Sequence, residues 1–483
     1  MGEQFEFTSW SVYTGPSYLK TIIPDENCPW IVGQWDAINN DAKEGEIKND
    51  IDARIDMVIN NLQKVIPLYK TYNRHFVIPE FFFRCKQGPY PYLKVDGKNY
   101  PLEYIRLQMQ ERLKGVIPND NNYYTVVIGS VLTSNVVNYD VFLNSPQVQE
   151  RLDQLNQLLA GKLNFSNANG PVSWRRTSMI PKQHLQANPD LNVLNNFMNE
   201  CRANPFCTVR NRGVYFHFNR SMMEVPESFV YEKQYESKVD LTMGMFDAQG
   251  KIQTGGMITE WMGNYPSYNI LNGDKQTGGQ YSTNARFTPK FMGNVDVGVE
   301  ICLDHRLQRL RRTVDMCTQN GAAADNYPLF KQIIPSGGMQ ILDYSVAADK
   351  NCVIFNADGC DKIYYVYTDP NSYILNGEAG IFRGITCGVY NQSIQSKWKG
   401  YDGNIYYSHS QLAFCTNGSN IGGFNNALGL NNPKATTFEG TSENPYNILT
   451  DSYNPTMILL GGDTKLFAAG MGEIHNYFPK DDE

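Results

Sequence analysis

The sequence predicts a layered α/β fold, and three observations carry that expectation. Through the first 134 residues, apolar runs rich in β-branched and aromatic side chains alternate with stretches whose apolar residues recur at helical spacing. Short apolar runs of the same kind return between residues 207 and 360, with helical patterns between them. Hydrophobic residues make up 41%, charged residues 19% and aromatic residues 12% of the 483, which is the composition of a globular chain with a large core to bury.

Taken in order, "WIVGQWD" (30–36) is a short strand candidate. It is followed by a segment in which Ile47, Ile51, Ile55, Val58, Ile59, Leu62 and Val65 form one apolar helix face. "RHFVIPEFFFR" reads as a strand ending at Pro79 and Glu80, "PLEYIRLQMQERLKGVI" as an amphipathic helix and "NYYTVVIGSVLTS" (122–134) as the next strand. Residues 140–207 break this rhythm with one helical pattern and polar, loop-like stretches, and are expected to be an insertion. Strand patterns resume in "TVRNRGVYFHFN" and "SFVYEKQY", then in "VGVEICLDHR", with "RLQRLRRTVDMC" as a following helix. Two more strands are expected near 332–334 and 352–356. Residues 361–483 are dense in Gly, Asn, Tyr and Ser and predict irregular loops between short strands, so the chain is taken as one domain, 1–483, with an elaborated C-terminal part. No internal repeat, low-complexity tract or phosphate-cradling glycine motif is found.

A net charge of -7 without any Lys/Arg-rich run argues against nucleic acid and anionic membranes as partners and favours a small substrate. The opening residues lack a basic stretch followed by an apolar one, and nowhere do 18 apolar residues run together, so a soluble, cytoplasmic protein is expected. The ten cysteines are scattered without CxxC or Cys/His zinc spacing, which predicts reduced thiols and no structural metal.

Three places combine a strand end with a reactive group: Glu80 after "FVIP", Lys233 in "VYEKQY" and Cys302 in "VEICLDH". Side chains at such ends lie at the mouth of an α/β sheet, where ligands bind. Taken singly, each has a plainer reading: a cysteine in an apolar strand is by default a small buried hydrophobe, and the two charged groups are by default solvated. His305, three residues beyond Cys302, invites a Cys-His pair, but a hydrogen-bonded turn residue is the preferred reading.

Together and in order, Pro79-Glu80-Phe81, Tyr231-Glu232-Lys233 and Cys302-Leu303-Asp304 resemble the Glu, Lys and Cys motifs of the nitrilase superfamily, the carbon-nitrogen hydrolases. "IVGQWD" and its helix resemble that family's opening strand and first helix, and "YTVVIGS", "QIIPSGGM" and "VIFNADG" resemble later strands, so the resemblance covers roughly 28–140 and 207–360. It implies a four-layer α-β-β-α sandwich with large insertions, no metal or organic cofactor, and subunits paired through the helical layer as a homodimer or higher homo-oligomer. It also implies a thiol-dependent amidohydrolase in which Cys302 is the nucleophile, Glu80 the general base, and Lys233 with the backbone N–H of Leu303 the oxyanion donors. A nearby ammonium is expected to lower the thiol pKa.

The family's second carboxylate is left between Glu236, Asp240 and Glu260, while Glu300 and Asp304 are expected to be structural neighbours of the thiol. Leu303-Asp304 after the cysteine favours an amide over a nitrile substrate by the same resemblance. An acyltransferase or nitrile hydrolase with this triad, and a catalytically silent binding or assembly protein on the same fold, are the alternatives.

Overall fold

A computed structural model describes residues 5–15, 19–25, 28–33, 41–86, 88–137, 206–233, 286–287, 296–306, 310, 329–341, 345–347, 353–359, 393–400, 403, 405–414, 453–459 and 470–479. They form a mixed α/β structure with two large sheets and few helices.

The first sheet is built around three parallel strands, β1 (Phe5–Ser11), β4 (Asn73–Val77) and β6 (Tyr123–Val127). Between the first two of these in sequence, β2 (Leu19–Asp25) and β3 (Cys28–Gly33) pair only with each other. Beyond β6, the long antiparallel strand β8 (Phe206–Phe218) pairs with β6, with β7 (Val131–Val137) and with β9 (Glu227–Glu232). The short β5 (Tyr90–Pro91) extends β7. The second sheet runs β10 (Arg286–Phe287), β11 (Asp296–Val299), β12 (Leu329–Ser336), β13 (Val353–Asp358), β15 (Ile405–Phe414) and β14 (Ser393–Lys399), with β11, β12 and β13 parallel. From the C-terminal stretch, β17 (Glu473–Pro479) lies between β1 and β16 (Tyr453–Leu459) in the first sheet.

Strand periodicity sorts the first sheet's side chains onto two faces. Trp10, Phe76, Tyr124, Val126, Val214, Phe216 and Val230 point to one face and pack with α1 (Glu44–Val65) and α2 (Pro101–Val116). The apolar stripe of α1, from Ile47 to Val65, is the one the sequence predicts, and burial of each such side chain stabilises the fold by roughly 1.5–3 kcal/mol. Phe7, Val77, Val127, Tyr215, Phe229 and Tyr231 point to the other face and meet Val297, Val299, Ile333, Val353 and Phe355 of the second sheet. The Phe7 and Phe355 rings, 5.0 Å apart, mark this sheet-to-sheet contact. On the outward side of the second sheet, a Cβ on Gly298 would lie 2.3 Å from Leu310 Cδ2, so the Leu310 side chain packs closely over this glycine of β11.

Two sequence expectations are corrected. "IVGQWD" is not the opening strand of the main sheet: its residues to Gly33 form the β2–β3 hairpin, and the opening strand is "FEFTSWS". Its Phe5 and Phe7 fill the space between the sheets and its Trp10 fills the space under the helices, so β1 is buried on both faces and does not show simple amphipathic alternation. The run 122–134 is two strands, broken at Gly129, which has φ 67°. Residues 140–205, including most of the expected insertion, and the helix expected at 307–317 apart from Leu310 lie outside the described residues. Among the described residues no helix is long and apolar enough to cross a membrane.

Candidate active site

Glu80 is delivered by the end of β4. Ile78 N–H still bonds Val127 O at 2.8 Å, but Pro79 has no N–H to continue the ladder, and the chain turns through Phe81 at φ 62°. A non-glycine residue in that region costs about 1–3 kcal/mol and persists only where its surroundings hold it. Here Ser130 holds it, its Oγ accepting from Phe81 N–H at 2.8 Å and its carbonyl from Phe83 N–H at 3.0 Å. Gly129 lets the break between β6 and β7 come up against this turn, since a Cβ there would lie 1.8 Å from Pro79 O.

Lys233 follows β9. The period of two that places Tyr231 against the second sheet places Lys233 on the same face, which gives the Tyr-x-Lys spacing a physical reason. Its backbone N–H bonds Asn211 O at 2.9 Å, and the Tyr231 hydroxyl donates to Gly129 O, tying this strand end to the turn that carries Glu80. Lys233 Nζ donates to Glu80 Oε1 at 2.8 Å and sits 5.5 Å from the centre of the Phe81 ring. Asn211, on the inter-sheet face of β8, donates its Nδ2 to the same Glu80 Oε1 at 2.7 Å. Among the described residues, no hydrogen bond reaches Glu80 Oε2.

Cys302 comes from the other sheet, three residues past β11, at φ 46°. Its N–H bonds Pro335 O at 3.1 Å, and the short helix α3 (Leu303–Arg306) begins directly after it. The first-turn N–H groups of a helix have no intrahelical partner. Those of Asp304 and His305 are taken by Ile301 O and Cys302 O, at 3.0 and 2.9 Å, and Leu303, the first residue of α3, directly follows the thiol in sequence.

Glu300 fastens this turn: its Oε1 meets His305 Nδ1 and Gln332 Nε2, each at 2.6 Å, and its Oε2 accepts from Leu310 N–H at 3.1 Å. His305 is thereby a buried turn residue, as the plainer reading expects, and Glu300 is a structural neighbour of the thiol. Asp304 is buried as well, and its charge favours the ammonium of Lys233.

Opposite the thiol lies the loop after β12. Asp358 Oδ2 accepts from Ser336 Oγ at 2.8 Å and from the N–H groups of Gly338 and Met339 at 2.6 and 2.7 Å. That clasp presents the Gly337 carbonyl 4.0 Å from Cys302 Sγ. A Cβ on Gly337 would stand 3.6 Å from Glu80 Oε2 and 3.1 Å from the Phe81 ring, so the free carboxylate oxygen and the thiol border the same glycine.

Glu80, Lys233 and Asn211 are fully buried and Cys302 is 6% exposed, and this burial dominates the electrostatics. It pushes the Glu80 carboxyl up against the opposing pull of Lys233, Cys302 and Asn211. Burial alone would lower Lys233, but the charges of Glu80 and Cys302 more than offset it and hold the ammonium on. The thiol is pushed well above its ordinary range by burial and by the Glu80 charge, and Lys233 pulls it only partly back. Lys233 thus lowers the thiol pKa in the direction expected, but burial and the Glu80 charge outweigh it, so the thiol needs a base to release its proton.

The structure brings Glu80, Lys233 and Cys302, with Leu303, into one site between the sheets. Glu236, Asp240 and Glu260 lie outside the described residues. Two residues escape the sequence reading. Asn211 is one asparagine in a strand, and only its parity with Tyr215 could have placed it on the inter-sheet face; Asp358 ends "VIFNAD" and reads as an ordinary strand terminus. Among the described residues no three His, Cys, Asp or Glu side chains are placed to hold a metal ion. No protein-family profile matches the chain, and no curated protein matches it.

Proposed function

We propose that the protein is a thiol-dependent amidohydrolase that cleaves the carbon-nitrogen bond of a small, non-peptide amide through a thioester on Cys302. One observation carries this reading: a buried carboxylate with one oxygen occupied by Lys233 and the other open, beside a buried thiol on a strained turn, each group delivered by a different strand end. Chance burial of an ion pair would not account for two non-glycine residues at positive φ, Phe81 and Cys302, flanking it.

In this reading Glu80 Oε2 takes the thiol proton as sulfur attacks the amide carbon. The tetrahedral oxyanion is held by the Lys233 ammonium and the Leu303 N–H. As the carbon-nitrogen bond breaks, Glu80 returns the proton to the departing nitrogen, and ammonia or an amine leaves. Glu80 then takes a proton from water, whose oxygen attacks the thioester; collapse frees the carboxylic acid and restores the thiol. A raised carboxyl pKa suits a group that must both accept and donate. The Leu310 contact with Gly298 supports a second helical layer on the outer face of the second sheet, completing an α-β-β-α sandwich. Pairing of subunits through the α1 and α2 face belongs to the same reading.

The test is a panel of small aliphatic, aromatic and carbamoyl amides assayed for ammonia release. Release by the parent protein, absent in Cys302→Ala and accompanied by an acyl adduct on Cys302 in the intact-mass spectrum, is the expected result. Turnover that persists in Cys302→Ala would overturn the proposal.

A further inference from the structure

Asn211 has no part in the chemistry just described, yet its side chain is fully buried and its amide is anchored on the candidate base. Among the described residues its Oδ1 has no hydrogen-bond partner, an arrangement that costs free energy in a buried acceptor. Glu80 Oε1 accepts two bonds, from Lys233 Nζ at 2.8 Å and Asn211 Nδ2 at 2.7 Å, whereas among the described residues none reaches Oε2, which faces Gly337. A carboxylate held by Lys233 alone could rotate about its terminal bond and present either oxygen to the thiol. Two donors converging on one oxygen from different strands, β8 and the end of β9, remove that freedom.

We propose that Asn211 is a positioning residue that, with Lys233, ties down Glu80 Oε1 and so fixes Oε2 as the single oxygen that exchanges the proton of Cys302. The inference rests on Glu80 serving as base to Cys302, and needs no knowledge of the substrate. Because Asn211 donates to the carboxylate form, its loss makes that form harder to reach, and the thiol then loses its proton acceptor at pH values where the parent protein retains it.

The experiment follows alkylation of Cys302 by limiting iodoacetamide, read by peptide mass spectrometry across pH, in the full-length parent, Asn211→Ala, Asn211→Asp and Glu80→Gln. In alkylation the thiol proton passes to Glu80, the sulfur-carbon bond forms and iodide leaves. The rate in the parent should therefore rise with pH along a limb set by Glu80. Asn211→Ala should move that limb up by about 1 to 2 pH units, the equivalent of one hydrogen bond to a charged group. Asn211→Asp, which keeps the shape but replaces the donor with a second carboxyl, should move it at least as far. If Asn211→Ala fails to fold, the isosteric Asn211→Asp carries the test. A limb that stays within about 0.3 pH units in the folded Asn211 variants, while Glu80→Gln abolishes it, overturns the role of Asn211 and leaves Glu80 as base intact. A limb unchanged in Glu80→Gln overturns both. A role for Asn211 in folding alone would lower thermal stability without moving the limb.

Discussion

The Lys233 ammonium lies 2.8 Å from Glu80 Oε1, and neither side chain reaches solvent. Two fully buried ions are costly to remove from water, and their attraction offsets that cost only with close geometry and further hydrogen bonds. Asn211 supplies one such bond. If the ammonium is replaced, the carboxylate loses its main compensation and takes up a proton, because a buried acid without a partner neutralises before it stays charged. Lys233→Met keeps the length and apolar stem of the side chain. It is expected to fold cooperatively with Glu80 neutral and unable to accept the thiol proton. On the proposed amidohydrolase reading, one oxyanion donor is lost as well, and any amide turnover should fall by at least about 10²- to 10³-fold. A Lys233→Met protein within tenfold of the parent kcat/KM would remove the ammonium from the mechanism.

At the level of elements, the site is a meeting of strand ends, and those ends differ in how plainly the sequence shows them. Pro79 announces where β4 must stop, the Tyr-x-Lys spacing announces which face of β9 is turned inward, and "VEICLDH" announces the passage from strand to turn. The break between β6 and β7 is silent, because "VVIGSVL" is apolar but for one small serine, and a lone Gly-Ser in such a run fits a strand. Asn211 and Asp358 are silent too, since their partners lie 131 residues away in Glu80 and about 20 away in the Ser336–Met339 loop, beyond any local pattern. Gly129 tests whether the break matters. A Cβ there would meet Pro79 O at 1.8 Å, and the residue holds φ 67°, so no side-chain rearrangement relieves the contact. Gly129→Ala is expected to lower unfolding free energy by more than about 1 kcal/mol in a urea titration. Because Pro79 must move, on the proposed amidohydrolase reading it should also slow any amide turnover of the folded protein. An unchanged urea midpoint would mean that the turn carrying Glu80 does not depend on this close approach.

Across the whole molecule, polar groups are enclosed between the two sheets as well as apolar ones. His75 Nε2 meets Lys331 Nζ at 2.8 Å, and its ring stacks on Phe7 with centroids 4.5 Å apart. His217 stacks on Tyr123 at 5.3 Å. Burial, and then the positive charge of Lys331, hold both imidazoles below their ordinary value near 6.5, His217 at about 3. Both are therefore neutral in the folded protein at neutral pH, and a proton on either would sit beside the lysine. The sign follows from proton counting. Above 6.5 neither state binds these protons and stability is independent of them; below it the unfolded chain takes up protons that the folded chain refuses. Stability should therefore be flat near pH 7 and fall as pH drops, by up to roughly 1.4 kcal/mol per pH unit for each histidine. For His217 that loss continues towards about 3. Urea midpoints measured between about pH 7 and 5, above the titration of most carboxylates, carry this contribution together with that of His475, whose buried imidazole is also held below its ordinary value. His217→Phe, which keeps an aromatic ring against Tyr123, should remove about a third of the slope, the share of one of three such histidines. An equal slope in the variant would show that His217 carries none of the acid sensitivity.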